Sequence, residues 1–104
     1  MSHPMSDELL TQVVHRLAVL AQPLRIRVVE CLAVEGEMSV QALADDLGAT
    51  QQNISRHLAL LHDCGLIVRR QAGRQVFYRL AGDHAIALVD EVGEQVMNYF
   101  ARAA

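Results

Sequence analysis

Apolar positions along this chain recur at helical spacing up to residue 65, alternate between residues 66 and 80, and return to helical spacing afterwards. The first stretch predicts a helix from Asp7 to Leu20, capped by Ser6, with Asp7 and Glu8 in its first turn. Its apolar stripe is wide, running through Leu9, Leu10, Val13, Val14, Leu17 and Leu20. Pro23 breaks that pattern and starts a second helix, Leu24 to Val34, which turns Leu24, Val28 and Leu32 inward and ends at Gly36. Ser39 caps a third helix over Val40 to Leu47, with Leu43, Ala44 and Leu47 inside and Gly48 in the turn that follows. A fourth helix starts near Thr50 and buries Ile54, Leu58 and Leu61. Leu66 to Gln71 and Gln75 to Leu80 read as strands joined by a hairpin turn at Ala72-Gly73-Arg74. A last helix runs from Asp83 or His84 to Arg102, lined by Ile86, Val89, Gly93, Val96 and Phe100 and widened by Leu88, Val92 and Tyr99.

The predicted order is ααααββα: one domain over residues 1–104, mainly α with a small β-hairpin wing. Residues 1–6 form a loose tail, 39–65 a helix-turn-helix unit and 66–80 the wing of a winged helix-turn-helix. The helices at 7–20 and 83–102 carry more apolar surface than so small a core needs, and are expected to pair across a two-fold axis.

The buried stripe of the fourth helix leaves Gln51, Gln52, Ser55 and Arg56 facing out at its start. Amide and guanidinium groups so placed can reach base edges and phosphates in a major groove. Taken alone, the same residues also fit an ordinary solvated helix face. Thr50 either caps this helix or touches phosphate. His57 either contacts phosphate or bonds to the neighbouring helix. Arg74, at the wing tip, is placed to reach phosphate or a minor groove. Of Arg69 and Arg70 one should face DNA and the other solvent, because strand side chains alternate.

A net charge of −3 argues at first against a nucleic-acid partner. Its distribution reverses that reading. Residues 50–80 hold five arginines against Asp63 alone, whereas residues 1–49 hold three arginines against seven acids and residues 81–104 one arginine against four. The positive charge is gathered where phosphate would lie. No apolar run approaches the roughly 20 residues of a membrane helix. The start, MSHPMSDELL, lacks a secretory pattern, so a cytoplasmic location with both cysteines reduced is expected. There is no Gly-rich phosphate loop and no nucleophile with a plausible base, so no enzyme is expected.

The run LAQPLRIRVVECL, followed by SVQALADDLGATQQNISRHLALLHDCGLIVRR and GRQVFYRL, resembles the ArsR/SmtB family of bacterial winged-helix repressors over residues 8–100. The features that carry the likeness are Ala21-x-Pro23-x-Arg25, Ser55-Arg56-His57-Leu58, Gly65-Leu66, and Gly73-Arg74 followed by Tyr78. It implies a homodimer that holds an imperfectly palindromic double-stranded operator until an effector releases it.

The family's metal sensors are not matched. Their Cys-x-Cys site would fall at Glu37-Met38-Ser39-Val40, where no thiolate stands. Asp83-His84 matches half of their last-helix site, but Gln95 to Tyr99 cannot complete a zinc set. No metal or other cofactor is therefore expected, and Asp83 reads as a helix cap. Asp90 and Glu94 read as a solvated face, and His3 and His15 are isolated. Some family members sense oxidants through paired cysteines. Cys31 and Cys64 are the candidates for that, against the alternative that both are small core residues. A winged-helix module that binds protein instead of DNA is the rival function, supported by the net charge.

Overall fold

The structure, a computed structural model, describes residues 4–103. His3 and the start of the expected tail lie outside them. The elements are α1 (Asp7–Leu20), α2 (Pro23–Glu35), β1 (Met38–Ser39), α3 (Val40–Leu47), α4 (Gln51–Asp63), β2 (Ile67–Ala72), β3 (Gln75–Leu80) and α5 (His84–Ala103).

Side-chain caps set the helix starts. Ser6 Oγ accepts from the Leu9 N–H, Ser39 Oγ from Ala42 and Thr50 Oγ1 from Asn53, at 3.2, 3.1 and 3.1 Å. The cap of α2 is one the sequence reading missed: Gln22 Oε1 accepts from the Arg25 N–H at 3.0 Å. Gly48 closes α3 in the left-handed region at φ 62°, which a side chain would strain.

One element adds to the expected order. Met38 and Ser39 pair with Tyr78 and Phe77 of β3, making a three-stranded antiparallel sheet in the order β1-β3-β2. Two residues are too few to show alternation, and the second already caps α3, so no periodic signal marks β1. The hairpin loop is also one residue shorter than expected. Ala72 pairs with Gln75, leaving Gly73-Arg74 as a two-residue turn.

The core is a junction of three helices. Val28, Val29 and Leu32 of α2, Leu43 of α3, and Ile54, Leu58 and Leu61 of α4 are fully buried. Ile67 and the inward faces of Tyr78 and Leu80 close it from the sheet. Arg16 Nε donates to the Cys64 carbonyl at 2.8 Å, tying α1 to the end of α4.

The outer helices are another matter. Val14 is 56% exposed, Val92 50%, Met97 72% and Phe100 64%, among ten or so large apolar side chains left open along α1 and α5. The radius of gyration is 15.5 Å, against about 13 Å for a compact chain of this length. The accessible surface is 7335 Å², roughly 1,500 Å² above the scaling for a compact monomer of this mass. No described helix is long and apolar enough to cross a membrane.

Leu58 sits where the three core helices meet, so Leu58→Ala should lower unfolding stability by about 2–5 kcal/mol in urea titration. Ser55→Ala, one turn away on the exposed face, should change it by less than about 0.5 kcal/mol.

Candidate nucleic-acid interface

The burial of Ile54, Leu58 and Leu61 fixes the rotation of α4 about its axis. Gln51, Gln52, Ser55 and Arg56 then emerge exposed on the opposite side, as expected from the spacing. The free N–H groups and dipole of the α4 N-terminus point the same way and favour an anion.

The wing completes this surface. The turn brings Arg74 into a groove shared with Gln51 and Ser55 of α4, Gln41 of α3 and Ser39, the cap that precedes α3. A second polar concavity, over the α3–α4 turn, is lined by Thr50, Gln52, Asn53 and Arg56. Within these grooves the Gln51 amide donates to Gln41 Oε1 at 2.6 Å, and Arg56 Nη2 donates to Asn53 Oδ1 at 2.5 Å. Gln41 and Asn53 did not stand out in the sequence. Both are polar surface residues whose partners lie on another helix or a turn away. The Thr50 hydroxyl oxygen is used as a cap, which leaves its O–H to donate outward.

His57 is set apart from the exposed group. It is half-buried, and its Nδ1, like Arg25 Nε on α2, is buried without a hydrogen-bond partner. Burial, with the Arg25 and Arg56 guanidiniums nearby, holds its imidazole below the ordinary value and therefore neutral.

Arg69 and Arg70 fall on opposite faces of β2, and Arg70 is engaged within the chain. Arg70 Nε and Nη2 grip the Glu37 carboxylate at 3.1 and 2.6 Å, and its guanidinium lies 4.9 Å from the centre of the Phe77 ring. This fork ties the wing to the loop between α2 and β1. Hydrogen bonding from Arg70 holds Glu37 below the usual carboxylate value. Arg69 and Arg79 are exposed.

The two cysteines, both free, differ in their surroundings. Cys64 is buried, and its Sγ donates to the Leu61 carbonyl at 3.5 Å. Cys31 is half-buried on α2, and burial with Asp46, Glu30 and Glu35 pushes its thiol up, with Arg27 opposing. Among the described residues, no group of three or more His, Cys, Asp or Glu side chains is arranged to hold a metal ion.

A model described as a helix-turn-helix domain matches residues 20–70. A biofilm growth-associated repressor of Agrobacterium fabrum is 34% identical over 87 residues, 84% of this chain and 74% of that protein. The transcriptional regulator CmtR of Mycobacterium bovis is 40% identical over 78 residues, 75% of this chain and 65% of its own length. The solution structure of a homodimeric winged helix-turn-helix DNA-binding domain from Mycobacterium bovis, reported as a possible ArsR-family transcriptional regulator, superposes with a TM-score of 0.79. It is 31% identical, and the match covers 95% of each chain. The fold and these relatives define a winged helix-turn-helix transcriptional regulator. The chain belongs to the ArsR/SmtB family. That membership makes it a regulator and not an enzyme.

The depressed His57 pKa has a sign that can be tested. The unfolded chain takes up this proton first, so His57 costs stability as pH falls below about 6.5, and the cost grows until the folded imidazole also protonates. Thermal melts between pH 7.5 and 5.5 should therefore show a smaller loss for His57→Gln than for the wild type. Equal losses would place the pH dependence on other groups.

Proposed function

We propose that two copies of this chain bind a double-stranded, imperfectly palindromic operator and repress transcription until an effector releases them. The observation that carries the reading is the surface assembled from three elements: Gln51, Gln52, Ser55 and Arg56 on α4, Arg74 on the wing turn, and the α3 residues beside them. Phosphate contacts by Arg74, Arg56 and Thr50 would set the register. Gln51, Gln52 and Arg56 would read base edges, and the small Ser55 would permit close approach. His57 supports the surface from behind, where it is neutral and half-buried.

The open apolar faces of α1 and α5 support the dimer. The excess surface, roughly 1,500 Å² per chain, is of the size that obligate homodimers bury. A two-fold pair would set the recognition helices one turn of DNA apart, about 34 Å. Such a protein acts in the cytoplasm, where its operator would lie. No metal or cofactor enters this reading. The burial of Cys64 and the acids around Cys31 weigh against a thiol switch at these two positions. The rival, a protein-binding module, draws on the net charge of −3, but the local gathering of arginines answers it.

Binding to a duplex selected from a random library should weaken steeply with salt, by about 0.9 in log affinity per log salt for each phosphate contact. Arg56→Ala should cost about 1–3 kcal/mol and relax base preference. A wild type that selects no sequence would favour the protein-binding module. Val92→Asp combined with Val96→Asp should turn a dimer into a folded monomer by sedimentation, with its operator affinity lost.

A further inference from the structure

Three side chains on α3 and α4 form a directed chain of hydrogen bonds. Gln41 Nε2 donates to Asp45 Oδ1 at 3.4 Å, one turn along α3. Gln41 Oε1 then accepts from Gln51 Nε2 at 2.6 Å, crossing from α3 to α4. All three residues are exposed, and Gln41 and Gln51 line the groove that also holds Ser55 and Arg74.

A primary amide can ordinarily turn either end toward a partner, because its oxygen and nitrogen have the same shape. An ionised carboxylate cannot: it only accepts. Asp45 therefore fixes which end Gln41 offers it. Gln41 must give its N–H to Asp45, which leaves its oxygen for Gln51. Gln51 must then give one N–H to Gln41. What remains of its amide for an outside partner is the carbonyl oxygen and the second N–H.

We infer that Asp45 and Gln41 are positioning residues that set the polarity of the Gln51 amide, and so bias the base pair it reads toward adenine. Adenine offers an N6 donor to the carbonyl oxygen and an N7 acceptor to the remaining N–H. Guanine offers acceptors at both N7 and O6, and its O6 would face the Gln51 oxygen. An inverted amide is disfavoured because it would set two oxygens, or two N–H groups, against each other along the chain. The exclusion of water as DNA closes on the groove raises the cost of such a mismatch.

The inference rests on the reading of α4 as a DNA-reading helix, and the test separates the two. The probe is a duplex selected by the wild type from a random library, together with the set of its single base-pair replacements. The base pair read by Gln51 is the one whose preference Gln51→Ala abolishes. At that pair the wild type should prefer adenine to guanine by about tenfold or more. Asp45→Asn, which lets Gln41 turn over, and Gln41→Ala should each reduce that ratio several-fold while leaving preferences at other pairs unchanged. Asp45→Glu, which still only accepts, should preserve it. The ratio is read in place of affinity because removing a negative charge near DNA strengthens binding to every sequence. Asp45→Asn and Gln41→Ala proteins that keep the wild-type ratio, or a Gln51→Ala protein that changes no preference, would overturn the inference while leaving operator binding intact. A wild type that selects no duplex would overturn the functional reading itself.

Discussion

The packing of one helix stripe governs the working surface of this protein. Ile54, Leu58 and Leu61 on α4 lock against Val28, Val29 and Leu32 on α2 and Leu43 on α3, all fully buried. Each such side chain contributes about 1.5–3 kcal/mol by leaving water, and together they allow α4 one rotation about its axis. A turn of 100° would bury Gln51 or Arg56 without partners. The exposed polar face of α4 is thus a consequence of the core, and the helix owes its fixed rotation to dense packing.

The wing depends on a second, polar constraint. Hairpins are marginal alone, and this one is steadied at three points. β1 adds a third strand, Tyr78 and Leu80 enter the core, and Arg70 grips Glu37 while stacking on Phe77. These contacts hold the two-residue turn so that Arg74 shares a groove with Gln51 and Ser55. An arginine that looks available for phosphate is instead a strut, and the acid that holds it lies thirty-three residues away in the chain.

The apolar exterior of α1 and α5 and the acidic balance outside residues 50–80 complement each other. Apolar surface on the outer helices favours association between copies, while their acids keep phosphate away from that region. Positive charge is left to the recognition helix and wing. A protein of net charge −3 can in this way present a basic face to DNA.

Much of the fold was legible in the chain because its signals are local. Caps at Ser6, Ser39 and Thr50, the break at Pro23, the glycine turn at Gly48 and the apolar period of each helix all act within a few residues, and the helices formed where these predicted. The exposed set from Gln51 to Arg56 follows from the same period. Only the tertiary structure decided the rest. It paired Met38 and Ser39 with β3, assigned Arg70 to Glu37, brought the charge of Arg25 to bear on His57, and set Gln41 against Gln51. Each of these joins residues distant in the chain or on different elements. Hydrogen bonds and ion pairs between exposed polar groups leave no periodic trace, because either partner alone is equally content in water. Periodicity therefore determined which face of α4 looks outward, and the packing of α3 and the wing determined what that face can hold.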